Sequence, residues 1–117
     1  MMKYVEFKVS LEPYQAFNKL MSDIELKSCL VFNDRKSIKF SNEEMFILVY
    51  EKYYLRINST ASLTVTLDNL NGETIVKCIS TGNSEGLLNI SWGADKQFIK
   101  IVEKILEPNL EEVIKET

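Results

Sequence analysis

The stretch that decides the fold runs from Ala61 to Asp95 and reads ASLTVTLDNLNGETIVKCISTGNSEGLLNISWGAD. Asn71-Gly72 is a strong hairpin signal, because both residues tolerate a positive φ. Asp95 suits a helix N-cap, since its carboxylate can accept from backbone N–H groups of the first turn. The alternation of apolar and polar residues predicts three consecutive strands before that helix: Ser62–Asp68, Thr74–Ser80 and Leu87–Trp92.

Two registers are open for the first hairpin of this stretch. A two-residue turn places Leu67 opposite Val76, and Val65 opposite Cys78. A three-residue loop with a bulge at the glycine instead places Leu67 opposite Ile75. Because side chains alternate along a strand, a slip of one residue exchanges the buried face for the outer face.

We favour the two-residue turn, because the other register places Lys77 on the core face. The favoured register leaves Ile75 and Ile79 on the outer face of the sheet. The hairpin therefore predicts apolar surface on both of its faces. A partner or a neighbouring chain would have to cover the pair that does not face the core.

The composition indicates a single globular domain over residues 1–117. Hydrophobic residues make up 45% and charged residues 26% of the chain, and the net charge is −3. That charge, with lysines scattered singly, argues against a nucleic-acid partner, which normally requires a basic patch. No apolar run approaches the roughly 20 residues of a membrane span, and no signal peptide precedes the first strand pattern. We therefore expect a cytoplasmic protein without a membrane partner.

The sequence contains no metal-ligand cluster and no nucleophile–base pair that would indicate a catalytic site. It contains no histidine, which removes the commonest general base and the commonest metal ligand. Cys29 and Cys78 lie in apolar runs, where cysteine usually acts as a small hydrophobe. The neighbouring acids Glu43 and Glu44 would point apart on an extended or turn segment, so we assign them to the surface. We expect no catalytic residues, no metal and no cofactor. An enzyme is therefore the least favoured of three functional hypotheses, and turnover in a broad hydrolase screen would overturn that ranking.

The two ends of the chain predict one strand and two helices. Residues 3–11 alternate like a half-buried strand, and Pro13 suits the first position of a helix. Apolar residues at helical spacing extend that helix over about residues 13–24. A second, longer helix over about 95–107 carries the widest apolar stripe and stops at Pro108. Its stripe consists of Phe98, Ile99, Ile101, Val102, Ile105 and Leu106.

The middle of the chain predicts further strands joined by turns. Lys27–Asn33 reads as a strand, followed by a turn candidate at Asn33–Lys36 and a short strand at Ser37–Ser41. Met45–Tyr50 is almost wholly apolar, which fits a central strand covered on both faces. Glu51–Ile57 either continues this strand or bends away from it.

The order of elements is β-α-β(4–6)-α, which predicts the α+β class with an antiparallel sheet of about 5–7 strands. Helices of such domains collect on one face of the sheet. The pattern is similar to helix-grip or TATA-binding-protein-like folds. That likeness implies a curved sheet wrapped around the long C-terminal helix.

Three segments of the chain resemble one family. They are Glu51–Arg56, Ala61–Thr66 and, after the glycine loop, Ser91–Ala94. Together they resemble an uncharacterised family of short bacterial proteins, found mainly in Firmicutes, over about Met45 to Pro108. Family members carry more glycine where this chain has Thr81–Ser84, and an Asp-Trp pair in place of Ser91-Trp92. No activity, cofactor or partner is assigned to that family, so the resemblance implies no function.

One cluster in the sequence combines a fixed cation with aromatic groups. Arg56 follows Tyr53 and Tyr54, and Trp92 can join them as aromatic lining. Such groups can hold an anionic or planar ligand. They make the first hypothesis concrete: a small binding module with an apolar pocket between the C-terminal helix and the sheet, for a small apolar or anionic ligand.

The alternative hypothesis is a self-association or protein-interaction domain, with a homodimer as its simplest form. It depends on the apolar surplus on both faces of Thr74–Ser80 and on the apolar stripe Leu110–Ile114. The two hypotheses differ in what they expect between the long helix and the sheet. A closed, occupied cavity there favours ligand binding, whereas a filled interior with an apolar outer patch favours association.

Overall fold

The computed structural model of the chain describes residues 2–55, 58–84 and 94–117. Its described strands form one antiparallel sheet in the order β2-β3-β4-β5-β1-β6. The α+β class and the antiparallel sheet are as predicted. The strands are β1 (Met2–Val9), β2 (Leu30–Ser37), β3 (Glu44–Tyr54), β4 (Ser59–Asp68), β5 (Thr74–Ser84) and β6 (Leu110–Glu116).

The helices are α1 (Pro13–Met21), α2 (Ile24–Ser28) and α3 (Ala94–Leu106). The extent of α3 agrees with the predicted helix 95–107. The single helix predicted over 13–24 is wrong in its C-terminal end, because α1 stops at Met21 and a second helix begins. Asp23 causes the break: its carboxylate accepts from the Leu26 N–H at 2.9 Å and caps α2.

The β4–β5 hairpin has the favoured register, with Leu67 opposite Val76. The turn itself is wider than two residues. The Gly72 N–H donates to the Asn69 carbonyl at 3.0 Å, and Gly72 has a φ of 88°. A glycine is suited to that position because it has no Cβ to clash with the backbone.

The side chains of each inner strand alternate between a buried face and a face that the described helices leave open. Helix α3 packs on β1, β4 and β5, and α1 packs on β3 and β4. We call the helix-covered side the inner face and the opposite side the outer face. Fully buried inner-face side chains include Val5, Leu48, Tyr50, Ala61, Leu63, Val65, Leu67, Val76 and Cys78.

The segment before β3 differs from its prediction. The turn expected at Asn33–Lys36 and the short strand expected at Ser37–Ser41 are wrong, because β2 continues unbroken to Ser37. The chain reverses only after that, near Phe40, whose φ is 63°. An edge strand has one neighbour and exposed polar side chains, so its sequence is easily taken for a turn.

Strand β3 was expected to be covered on both faces, and that expectation is wrong. Phe46 and Leu48 are buried on the inner face, whereas Ile47 and Val49 are only half-buried on the outer face. The apolar run therefore reflects one covered face together with an outer face that is itself apolar.

The last strand, β6, was not predicted. Leu110, Val113 and Ile114 read as a short stripe, but they lie in a strand antiparallel to β1. The pairing is shifted between Glu6 and Phe7 and again between Lys8 and Val9, so the period of two is lost. The predicted strand Leu87–Trp92 lies outside the described residues.

Candidate functional site

The predicted ligand cluster is only partly described. Tyr53 lies on the outer face and its hydroxyl hydrogen-bonds the Asn58 side chain, whereas Tyr54 packs against the inner core. Neighbouring residues of a strand point to opposite faces, so the two tyrosines do not converge. Arg56 and Trp92 lie outside the described residues. The ligand role of these four residues therefore stays a prediction.

An apolar row crosses the outer face of the sheet. The strand pairings place Phe32 beside Val49, Val49 beside Thr64, Thr64 beside Ile79, and Ile79 beside Tyr4. We call these five residues the outer row. Phe32 is 53% and Ile79 41% exposed, and the other three are half-buried. Because five different strands contribute, only the tertiary register reveals the row.

The rest of the outer face adds apolar and charged side chains next to the row. Ile47 lies two residues from Val49 along β3, and Ile75 lies four residues from Ile79 along β5, with Lys77 between them on the same face. Lys77 and Glu6 are paired across β5 and β1, so the face carries both signs of charge. Such a mixture of apolar centre and charged surroundings is typical of a protein interface.

Tyr4 is held at one end of the outer row. Its hydroxyl donates to the Glu6 carboxylate at 2.8 Å, and the Lys115 ammonium lies 5.9 Å from the centre of its ring. Burial, reinforced by the hydrogen bond to Glu6, raises the pKa of Tyr4 to about 12. The phenol therefore stays neutral at physiological pH and acts as a fixed hydrogen-bond donor on an apolar ring.

The free edge of β2 is protected against strand addition. The Asp34 carboxylate accepts from the Arg35 backbone N–H at 2.8 Å. A side chain that occupies an edge donor in this way hinders the pairing of another strand. The geometry thus favours contact through the outer face over contact through the β2 edge.

A polar cleft of about 390 Å³ lies where α1 meets the β2–β3 turn. Its central residue is Glu44, which is only 7% exposed. The Glu44 carboxylate accepts from the Tyr14 backbone N–H at 3.2 Å and from the Arg35 guanidinium at 3.3 Å. The expectation that Glu44 lies at the surface is wrong, because its side chain is buried. These hydrogen bonds hold α1 against the sheet. Glu44 therefore has a structural role in this cleft.

The interior contains one unsatisfied polar group among the described residues. Tyr50 is fully buried, and its hydroxyl has no hydrogen-bond partner. Burial raises the pKa of Tyr50 and also that of the buried Cys78 thiol. A thiol held in its neutral form is a poor nucleophile, so Cys78 acts as a core residue.

No group of three or more acidic or cysteine side chains in the described part of the chain could hold a metal ion. None of the described helices is long and apolar enough to cross a membrane.

A family profile matches residues 2–109 of the chain. The chain belongs to DUF6054, a family of unknown function. No curated protein matches the sequence significantly. The matched region includes every strand of the outer row and stops at Asn109, just before β6. Function must therefore be argued from the geometry of this DUF6054 domain itself.

Sequence reasoning found part of this surface. The favoured hairpin register correctly placed Ile75 and Ile79 on the outer face. The sequence did not show that Phe32, Val49 and Tyr4 belong to the same surface, because their positions in the row depend on pairings between strands. One sign of this surface was present in the sequence of β1, where the aromatic Tyr4 falls on the polar side of the alternation.

Proposed function

We propose that this domain is a self-association module, and that its binding surface is the outer face of the sheet. The observation that carries the proposal is the outer row, five neighbouring side chains with apolar character on a face that the described helices leave open. A soluble monomer rarely exposes a contiguous apolar patch without a use for it.

The filled interior supports association over a ligand pocket. Four side chains of α3 are completely buried against the inner face, and they belong to one continuous core. Among the described residues, a void at the edge of this core, bordered by Phe7, Glu103, Leu110 and Val113, measures only about 20 Å³. That is room for about one water molecule. The buried side chains of α3 are Phe98, Ile99, Val102 and Leu106.

A second copy of the chain is the partner that fits the outer face. The face carries both Lys77 and Glu6, so two copies can place opposite charges together. Six strands spaced about 4.8 Å apart, with about eight residues at about 3.3 Å each, span roughly 24 by 26 Å. A flat area of about 600 Å² is of the order of the roughly 800 Å² that each partner contributes to a standard interface.

The proposal is tested by a charge placed in the centre of the outer row. Ile79→Lys would bury an unpaired ammonium in the interface, whereas the monomer tolerates it because Ile79 is 41% exposed. Ile24→Lys is the matched control, since Ile24 is 87% exposed on α2. Light scattering over a range of concentrations should give a dimer mass for the unmodified chain and for Ile24→Lys. Ile79→Lys should be monomeric at the concentrations at which Ile24→Lys first becomes a dimer.

Two results would contradict self-association through this face. One is a monomer mass for the unmodified chain at the highest concentration. The other is an equal loss of dimer in Ile79→Lys and Ile24→Lys, which would place the contact elsewhere. Circular dichroism of both variants establishes that they are folded before their masses are compared.

A second candidate function follows from the unsatisfied Tyr50 hydroxyl. A small polar or aromatic ligand would have to displace packed side chains beside Phe98, and it would then accept the hydrogen bond that Tyr50 lacks. A thermal-shift screen with aromatic acids and lipids tests it. A ligand whose stabilising effect disappears in Tyr50→Phe would support this function, and a screen without any shift would count against it.

We further propose three finer properties of this DUF6054 domain. The fold is helix-grip-like, since α3 packs across three adjacent strands, β4, β5 and β1. The resemblance to short bacterial proteins supports a bacterial protein of the cytoplasm. The net charge of −3 supports a protein partner rather than a nucleic acid.

A further inference from the structure

The C-terminal part of the chain changes character at Asn109. The Asn109 carbonyl accepts from the Ser10 N–H at 2.9 Å, and its side-chain oxygen accepts from Lys19 at 3.0 Å. From Leu110 onward every residue is exposed. The family match also stops at Asn109. The strand β6 is therefore an exposed addition to a domain that is anchored up to that residue.

The pairing of β6 with β1 is specific in charge although it is irregular in geometry. Glu112 lies opposite Lys8, and Lys115 lies opposite Glu6. Near the end of the strand, the Glu116 carboxylate lies 3.2 Å from an ammonium nitrogen, that of Lys3 on β1. Glu116 thus forms an ion pair with β1, whereas Glu112 and Lys115 lie only in register with an opposite charge, since the Lys8 ammonium itself pairs with Glu73. This arrangement favours one direction and one position for a strand that binds there.

The apolar contacts of β6 are few. Leu110 and Val113 lie beside Phe7, with the void of about 20 Å³ between them and Glu103. Both side chains remain roughly half exposed. Exposed ion pairs contribute little stability, and a strand with two bulges and little burial opens at low free energy.

A single turn of 3₁₀ helix, Glu107–Asn109, joins α3 to β6 and contains Pro108. Because Asn109 is anchored, the backbone next to Leu110 is where the strand turns back onto its own sheet or out toward a neighbour. When β6 leaves, the edge of β1 exposes unpaired backbone groups, which favours the binding of another strand.

We propose that the edge of β1 is a strand-binding site, and that two copies of the chain exchange their β6 strands reciprocally at this site. The second copy is the fitting occupant because its β6 carries the same charges at the same positions. The exchanged strand makes every contact that the resident strand makes. This site is separate from the outer row and goes beyond the proposed function.

A mixed-disulfide experiment tests the exchange. Glu6→Cys and Lys115→Cys are made in separate full-length chains, because these two positions face each other across β1 and β6. Both chains carry Cys29→Ser, while Cys78 is fully buried and stays. The two chains are mixed in equal amounts at high concentration and oxidised. Random collision gives about twice as much mixed disulfide as either self-disulfide. Exchange predicts a yield of mixed disulfide well above that ratio.

Two further preparations make the result decisive. The double variant Glu6→Cys with Lys115→Cys in one chain should cross-link internally at low concentration, which establishes the fold and the geometry. If it does so and the mixture gives no excess of mixed disulfide, the exchange is overturned.

The same mixture with Ile79→Lys in both chains separates this site from the outer row. An unchanged yield of mixed disulfide supports exchange at the β1 edge. A yield that falls to the random ratio would assign the cross-link to contact between outer faces and would overturn the exchange.

Discussion

The two faces of this sheet are made by the same strands, yet they differ in almost every physical respect. On β4 the inner residue Val65 is fully buried, while its neighbour Thr64 is half-buried among Val49 and Ile79. The inner face is filled by three helices, whereas the described helices leave the outer face open. Apolar residues of these strands therefore have two different roles. One set drives folding, and the other forms a surface that a partner can cover.

The largest effect should come from the same charge placed on each face in turn. Val65→Asp buries a carboxylate without a partner, which costs more than about 4 kcal/mol and should unfold the domain. Thr64→Asp places that carboxylate on the outer face and, at a dilution at which the chain is monomeric, should cost about 1 kcal/mol or less. Urea unfolding measures both. A comparable loss of unfolding free energy in the two variants would contradict the distinction between the faces.

A smaller effect should appear at Tyr50, where the filled inner face contains its unsatisfied hydroxyl. Tyr50→Phe removes that hydroxyl and retains the ring, so we expect the free energy of unfolding to rise by about 1 kcal/mol. Thermal and urea unfolding measure the change. A loss of stability instead would show that water or a ligand satisfies the hydroxyl in solution.

The smallest effect should appear at the margin of the inner face, where Glu103 lies. Burial, together with the nearby Glu116 of β6, raises the pKa of Glu103, although Lys3 and Lys100 partly offset this. The folded state therefore binds the proton more tightly than the unfolded state. This contribution to stability is present at low pH and is lost as the pH rises through the raised pKa.

Glu103→Gln tests the sign of this effect. The variant should melt slightly higher than the unmodified chain at pH 7 and at the same temperature near pH 3, where the carboxyl is protonated in both states. A difference that is larger at pH 3 than at pH 7 would contradict the raised pKa.

Local patterns in the sequence were sufficient to predict those parts of the fold that depend on a single helix or strand and its nearest partner. The register of the β4–β5 hairpin follows from Lys77 being unsuited to the core, and the extent of α3 follows from its apolar stripe. The break between α1 and α2 could also be found from the sequence, because Asp23 is an ordinary capping residue.

Other features depend on contacts between distant parts of the chain and could not be predicted. Glu44 is buried because Arg35 and the start of α1 reach it from two other elements. The outer row exists because β1 pairs with β5 across most of the sequence. Strand β6 was hidden because the bulges in its pairing remove the two-residue period.

Association through the outer face is tested most directly by labelling at different protein concentrations. The test compares residues of the outer row with an exposed residue of α2. Hydroxyl radicals label exposed side chains, and mass spectrometry locates the label. Labelling of Val49 and Ile79 should fall several-fold between dilute and concentrated solution, because an interface excludes solvent. Labelling of Ile24 should stay unchanged. Equal labelling of Val49 and Ile79 at both concentrations would contradict the use of the outer face for association.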